Sequence, residues 1–139
     1  MSLLMVAFIW GNSLKSIPES AAQSSQVADA VRPVLDPQEK LDRPTFHDLV
    51  RKLAHVVEFF ALGLFAGGFA VCLSLERKER LISLPVLLVL SVAVVDEWIQ
   101  HFTNRGSRVT DVVLDFAGAI TGLLIATLIY KIIQKIKKK

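Results

Sequence analysis

Hydrophobic positions along this chain fall into blocks too long for strands. Residues 53–75 carry only two ionisable side chains, His55 and Glu58, both near the start. Residues 81–95 carry no ionisable side chain, and the pattern continues through Trp98 and Ile99 to Phe102. Residues 112–130 carry only Asp115, again near the start. A spanning helix needs roughly 20 apolar residues. The first and third blocks meet that, and the second does so when continued to Phe102. Residues 3–10 are apolar but too short to span. They lack the basic start and the cleavage site of a signal peptide, and read as a short, half-inserted or truncated first helix.

The pattern predicts an all-α integral membrane protein, a small bundle of about four transmembrane helices in a single domain over 1–139. The elements are a partial first helix over 1–10, an external segment over 11–50, and helices over 46–75, 81–102 and 109–133. A basic tail follows over 134–139. Within the polar segment, Ser16-Ile17-Pro18-Glu19 reads as a capping box with an early proline. A weakly amphipathic helix carrying Val27, Ala30, Val31 and Val34 follows it. Asp36-Pro37-x-Glu39 is a second start signal, for one turn at most. Pro44 reads as a break, with Thr45 capping the helix that carries Phe46, Leu49 and Leu53.

Composition agrees with a small membrane domain. The chain has 139 residues, 53% of them hydrophobic, and a mean hydropathy of +0.49. The formal net charge of +3 matters less than its distribution. Lys131, Lys135, Lys137, Lys138 and Lys139 follow an apolar helix, which fits a cytoplasmic anchor against anionic lipid rather than a nucleic-acid site. The loop Glu76-Arg77-Lys78-Glu79-Arg80 is also basic. The positive-inside rule puts both in the cytoplasm, and two spans between them make the assignments agree. The segment 11–50 is then external. Lys15, Arg32, Lys40, Arg43, Arg51 and Lys52 count against this, but long segments are weak voters. A multi-pass plasma-membrane protein with a cytoplasmic C-terminus follows. Cys72 is the single cysteine, which excludes an intramolecular disulfide and a cysteine metal cluster.

That topology gathers the unusual polar groups at the outer face. They are His55 and Glu58; Asp96, Glu97 and Gln100; Arg105; and Asp111 and Asp115. Ionisable groups set against hydrocarbon are functional-site candidates by default. Arg51, His55, Glu58 and Leu62 share one helix face. Asp96 pairs with Gln100 and Glu97 with His101, at different angles. Gly63-x-x-x-Gly67 and Gly118-x-x-x-Gly122 let helices approach closely beneath this polar cup. Purely structural readings stand beside these. His55 and Glu58 would only fix register; Glu97, more readily than Asp96, would snorkel; Asp111 would cap its helix; Trp98 would anchor the interface; Arg108 would be a solvated loop charge. His55-x-x-Glu58 with Asp96, Glu97 and His101 has ligand-type spacing, but no H-E-x-x-H motif accompanies it. No metal and no cofactor are expected. No nucleophile triad or phosphate loop is legible.

Lys52-x-x-His55-x-x-Glu58-Phe59, then Asp96-Glu97-x-x-Gln100, then Arg105-x5-Asp111-Val-x-Leu-Asp115-x-x-Gly118 resemble the VanZ-like membrane proteins. The likeness covers about residues 50–123, and the Ser/Gln-rich stretch 20–27 is similar too. The family's prototype is associated with resistance to teicoplanin, a lipoglycopeptide that binds cell-wall precursors. Four departures stand out: Phe59 where tyrosine is frequent, Asp115 where asparagine is usual, Thr103-Asn104 in place of Pro-Gly, and a truncated first helix.

Together these readings imply an envelope protein with an outward polar site for a lipoglycopeptide or a lipid-linked wall precursor. The expected ligand-binding residues are Lys52, His55, Glu58, Asp96, Glu97, Gln100, Arg105, Asp111 and Asp115. Membrane lipid is the expected partner and nucleic acid is not. The alternative is a membrane-embedded enzyme acting on an envelope lipid or phospholipid head group, with His55, Glu58 and Asp96 as candidate catalytic groups. Ion-coupled transport is disfavoured because the polar groups stop near one face.

Overall fold

A computed structural model describes residues 2–77, 82–103 and 108–137, with the side chains of 17 and 75–77 left aside. Among the described residues there are five helices and no strand. They are α1 (Ser2–Ser13), α2 (Ile17–Leu35), α3 (Arg43–Arg77), α4 (Ser83–Phe102) and α5 (Val109–Lys137). The basic residues Lys78, Arg80, Lys138 and Lys139, used above to orient the chain, lie outside the described residues.

Helix α2 starts where the capping signal put it. The Glu19 carboxylate accepts from the N–H (3.1 Å) and hydroxyl (2.7 Å) of Ser16. These two donors hold the Glu19 carboxyl below its ordinary range. Asp36 does not start a helix. It ends α2, and its carboxylate accepts from the N–H groups of Lys40 (2.8 Å) and Leu41 (3.1 Å). Arg32 donates to the Leu41 carbonyl at 2.7 Å, closing the turn from the other side. That turn folds α2 back onto α3, where Ala28 is buried against Phe46 and Val50.

The start of α3 corrects the sequence reading. Pro44 does not break the chain; it sits in the first turn, where a missing N–H costs nothing. Asp42 is the capping group, accepting the Thr45 N–H at 3.3 Å through its side chain. Its carbonyl accepts the Phe46 N–H at 3.0 Å. Thr45 is therefore a donor to the cap. At the other end of the chain, α5 remains helical to Lys137, so most of the expected tail belongs to the helix.

Three stretches are long and apolar enough to cross a bilayer: Arg43–Ser74, Ser83–Phe102 and Val109–Lys137. The core, among the described residues, is lean: Ile9, Phe59, Leu62, Ala66, Val89, Ala93, Ala119 and Leu123. Many of the large apolar side chains point outward, among them Phe69, Leu87, Leu128 and Ile132. Small residues inside and large ones outside suit a lipid surround, in which close helix contact rather than apolar burial drives association.

The α3–α5 contact is built on that rule. A Cβ on Gly63 would overlap the Ala119 carbonyl, and one on Gly122 would overlap the Phe60 carbonyl. A Cβ on Gly67 would come 2.7 Å from the Ala126 methyl, and one on Gly118 2.8 Å from the Val56 carbonyl. Residue numbers rise together on both helices, so α3 and α5 run parallel. Both glycine pairs read from the sequence are used, each against the backbone of the other helix.

Candidate functional site

The seam fixes what lies directly above it. Gly118 rests on Val56, next to His55, and Asp115 lies about one helical turn before Gly118. The start of α3, the start of α5, the end of α4 and the end of α1 therefore meet at one end of the bundle. Each brings polar side chains there.

Asp96 is the centre of the arrangement. It is fully buried on α4. Its Oδ1 accepts from the Ser13 hydroxyl of α1 at 2.7 Å. Its Oδ2 accepts from Gln100 one turn on, at 2.8 Å. The Nδ1 of His55 lies 4.0 Å from that same Oδ2 and 3.9 Å from Glu58 Oε2. Glu58 Oε1 in turn accepts from the Asn12 amide at 3.1 Å. Lys15 donates to Asn12 Oδ1 (2.9 Å) and to Gln23 of α2 (2.7 Å). Hydrogen bonds thus join Gln23 of α2 through Lys15 and Asn12 to Glu58 of α3, and Ser13 of α1 to Asp96 and Gln100 of α4. His55 stands between the two sets, at ion-pair distance from each.

Asp115 enters from α5. It is 3% exposed. One ligand-type atom each from His55, Asp96 and Asp115 lies within 4.8 Å of the other two. Two recesses open beside this core. One, of about 110 Å³, is lined by Asn12, Ser20, Gln23, Ser24, Arg51, His55 and Glu58 together with apolar Val27, Val50 and Ala54. The other, of about 20 Å³, is lined by Arg51, Lys52, His55, Gln100, Asp111, Leu114 and Asp115. Arg51 and His55 border both. Helix α2 forms a wall of the larger recess.

The expected site residues divide accordingly. His55, Glu58, Asp96, Gln100 and Asp115 converge. Lys52 and Asp111 lie on the rim. Lys52 is paired with Asp48 at 3.1 Å, and Arg51 with the same carboxylate at 2.6 Å. Glu97 turns away: its Oε1 accepts the backbone N–H of Arg108, at the base of α5. It is buried, so the snorkelling reading is wrong for it. His101 is exposed, and the set Asp96, Glu97 and His101 does not gather around His55. Trp98 is exposed, edge-on to Phe102 at 4.8 Å between centroids, as an interfacial anchor would be. Arg105 lies outside the described residues.

Sequence reasoning missed Asn12, Ser13 and Asp48. The signal for the first two was present. Asn12 and Ser13 end an apolar run, as Asp96 and Gln100 do, but carry no charge to draw notice.

Fold and site define a small helical membrane protein with a polar constellation gathered at one end of a glycine-packed bundle. A sequence model of the VanZ/LLP1 family matches residues 1–130, and the chain belongs to that family. No curated protein and no solved structure matches it.

Proposed function

We propose that this VanZ-type membrane protein binds the head group of an envelope amphiphile at the recess between α1, α2 and α3. The amphiphile is a lipid-linked wall precursor or a lipoglycopeptide, and the role is of the teicoplanin-resistance type. The observation that carries the reading is the composition of the larger recess. Hydroxyls and amides from Ser20, Ser24, Gln23 and Asn12 face Arg51, His55 and Glu58 across it. Such a wall suits the hydroxyls, amides and anionic groups of a glycolipid head. Arg51 supplies the cation, and its guanidinium can engage a phosphate bidentately. Apolar outer surfaces of α3 next to the recess leave room for the lipid tail.

The reading places the recess at the outer surface, with the lysines of α5 at the cytoplasmic side. A membrane-impermeant thiol reagent tests this on intact cells carrying Ser20→Cys and Cys72→Ser. Labelling at position 20 is expected, and labelling only after lysis would reverse the orientation.

Binding is tested on protein in lipid nanodiscs, titrated with a lipid-linked wall precursor and, separately, with teicoplanin. Arg51→Ala removes a charge-assisted contact of about 1.5–3 kcal/mol, or roughly tenfold to a hundredfold in Kd. Equal Kd values for parent and variant would sink the proposal.

A second reading rests on His55, whose Nδ1 sits between two carboxylates. A histidine so placed can serve as general base for attack on a head-group ester. Turnover of a labelled undecaprenyl-type phospholipid by the purified protein separates the two. Product that vanishes in His55→Gln supports catalysis; binding without product supports the carrier role.

A further inference from the structure

We propose that Arg51, Lys52 and Arg108 form a site for a dianionic phosphate group, and that Asp48 is the resident counter-ion such a ligand displaces. Asp48 lies one turn before Arg51 and Lys52 on α3. Its Oδ1 is 2.6 Å from the Arg51 guanidinium and its Oδ2 is 3.1 Å from Lys52 Nζ. Each oxygen of one carboxylate thus takes a different cation. Arg108, at the start of α5, adds a third positive charge within electrostatic reach of Asp48. Its backbone N–H is tied to Glu97, which fixes where that charge enters.

Charge decides the class of ligand. Three cations around one carboxylate leave an excess of positive charge at the rim. A phosphate monoester carries about −1.5 to −2 near neutral pH and offers three acceptor oxygens. It matches that excess better than Asp48 does, and its oxygens suit the same donors, because guanidinium groups take carboxylate and phosphate in like geometry. A phosphodiester has only the single charge that Asp48 already supplies. It gains little by the exchange.

The exchange is feasible where Asp48 sits. Its side chain is 45% exposed, and those of Arg51 and Lys52 are 38% and 33% exposed. Ion pairs this open are weak, and the freed carboxylate can turn into water. Arg51 borders both recesses and Lys52 the smaller one. Asp111 and Asp115 line that smaller recess too and repel an anion from it. The phosphate is therefore held at the rim, beside the amides and hydroxyls of the larger recess. The inference rests on the head-group reading in taking Arg51 as the group that meets the anion.

The test titrates full-length protein in phosphatidylcholine nanodiscs with a prenyl monophosphate and, separately, with inorganic phosphate. The pH is held at about 8, above the second phosphate pKa of about 6. Asp48→Asn should tighten binding about three- to tenfold at low salt, a gain that shrinks as salt is added. Lys52→Ala and Arg108→Ala should each weaken it by a similar factor. Glu39→Gln makes the same charge change at another exposed position and should leave Kd alone. Phosphatidylglycerol, a phosphodiester, should bind several-fold more weakly than the monophosphate. A response with the prenyl phosphate alone marks lipid as the source of the group; a response with both marks the free ion as a ligand too. No binding in either arm, an Asp48→Asn variant no tighter than the parent, or equal Kd for monoester and diester overturns the proposal. Should Arg51→Ala weaken precursor binding while Asp48→Asn does not tighten it, the head-group reading stands and the exchange falls. Should Asp48→Asn tighten inorganic phosphate while precursor and teicoplanin fail to bind, the phosphate site stands without that reading.

Discussion

Helices α3 and α5 meet in two ways along their length. From Phe60 to Gly67 they touch backbone to backbone, with glycines where side chains would stand. Just before that, at His55 and Asp115, they carry ionisable groups into a polar cluster shared with α4. The lower stretch has geometry and almost no chemistry; the upper has chemistry that depends on the lower for its geometry. In lipid, where apolar burial between helices gains little, the tight stretch fixes the pair and the polar stretch can then be held at definite distances.

The sharpest way to break this contrast is at the seam. Gly122→Ala places a methyl group into the Phe60 carbonyl, with the Leu64 N–H 2.9 Å away. Neither is the end of a flexible side chain, so the helices must separate. Overpacking a tight core costs about 1–3 kcal/mol, and a backbone obstacle should reach or exceed the top of that range. Reversible unfolding in mixed detergent micelles should show it, together with a loss of the site. If Gly122→Ala unfolds like the parent, the backbone contact is not what organises the bundle.

Next in size is Asp96→Ala. It strands the Ser13 hydroxyl and the Gln100 amide inside the bundle. Two hydrogen bonds to a carboxylate at about 1.5 kcal/mol each give a loss of roughly 3 kcal/mol. Asp96→Asn keeps one acceptor oxygen and turns the other into an NH2 donor, so only one of the two bonds survives unchanged. It should recover about half of the lost stability in the same unfolding assay. Should Asn be as damaging as Ala, the pair of acceptor oxygens acting together is what Asp96 contributes. Gln100→Ala removes a single bond to Asp96 and should cost about 1–1.5 kcal/mol. A cost near that of Asp96→Ala would mean that Gln100 holds more of the network than its one bond to Asp96.

What the sequence made legible follows the same division. The seam was readable because small residues four apart have few other uses in an apolar helix. The converging ionisable groups were readable because charge stands out against hydrocarbon. Asn12 and Ser13 were harder: neutral polar residues at a helix end are ordinary, and only the position of α1 beside α4 gives them partners. Glu97 shows the opposite limit. Its neighbour Asp96 points into the cluster, yet one residue of helical rotation sends Glu97 toward Arg108. The role of α2 as a wall rests on the Asp36 turn, whose side-chain bonds look the same in sequence as a helix start.

The smallest expected effect lies one residue from the seam. Gly67 and Gly68 are adjacent in α3, and composition cannot tell them apart. A Cβ on Gly67 would crowd the Ala126 methyl and the Leu123 carbonyl, whereas one on Gly68 meets nothing within 4 Å. Gly68 is exposed on the outer surface of the helix. Gly68→Ala should therefore stabilise α3, by at most about 1 kcal/mol from the glycine–alanine helix difference. Gly67→Ala should destabilise it. The pair, measured side by side in the same micelle unfolding assay, tests the rotational setting of α3 against α5. Equal effects of either sign would mean that the helix is turned differently about its axis, moving His55 away from Asp115 as well.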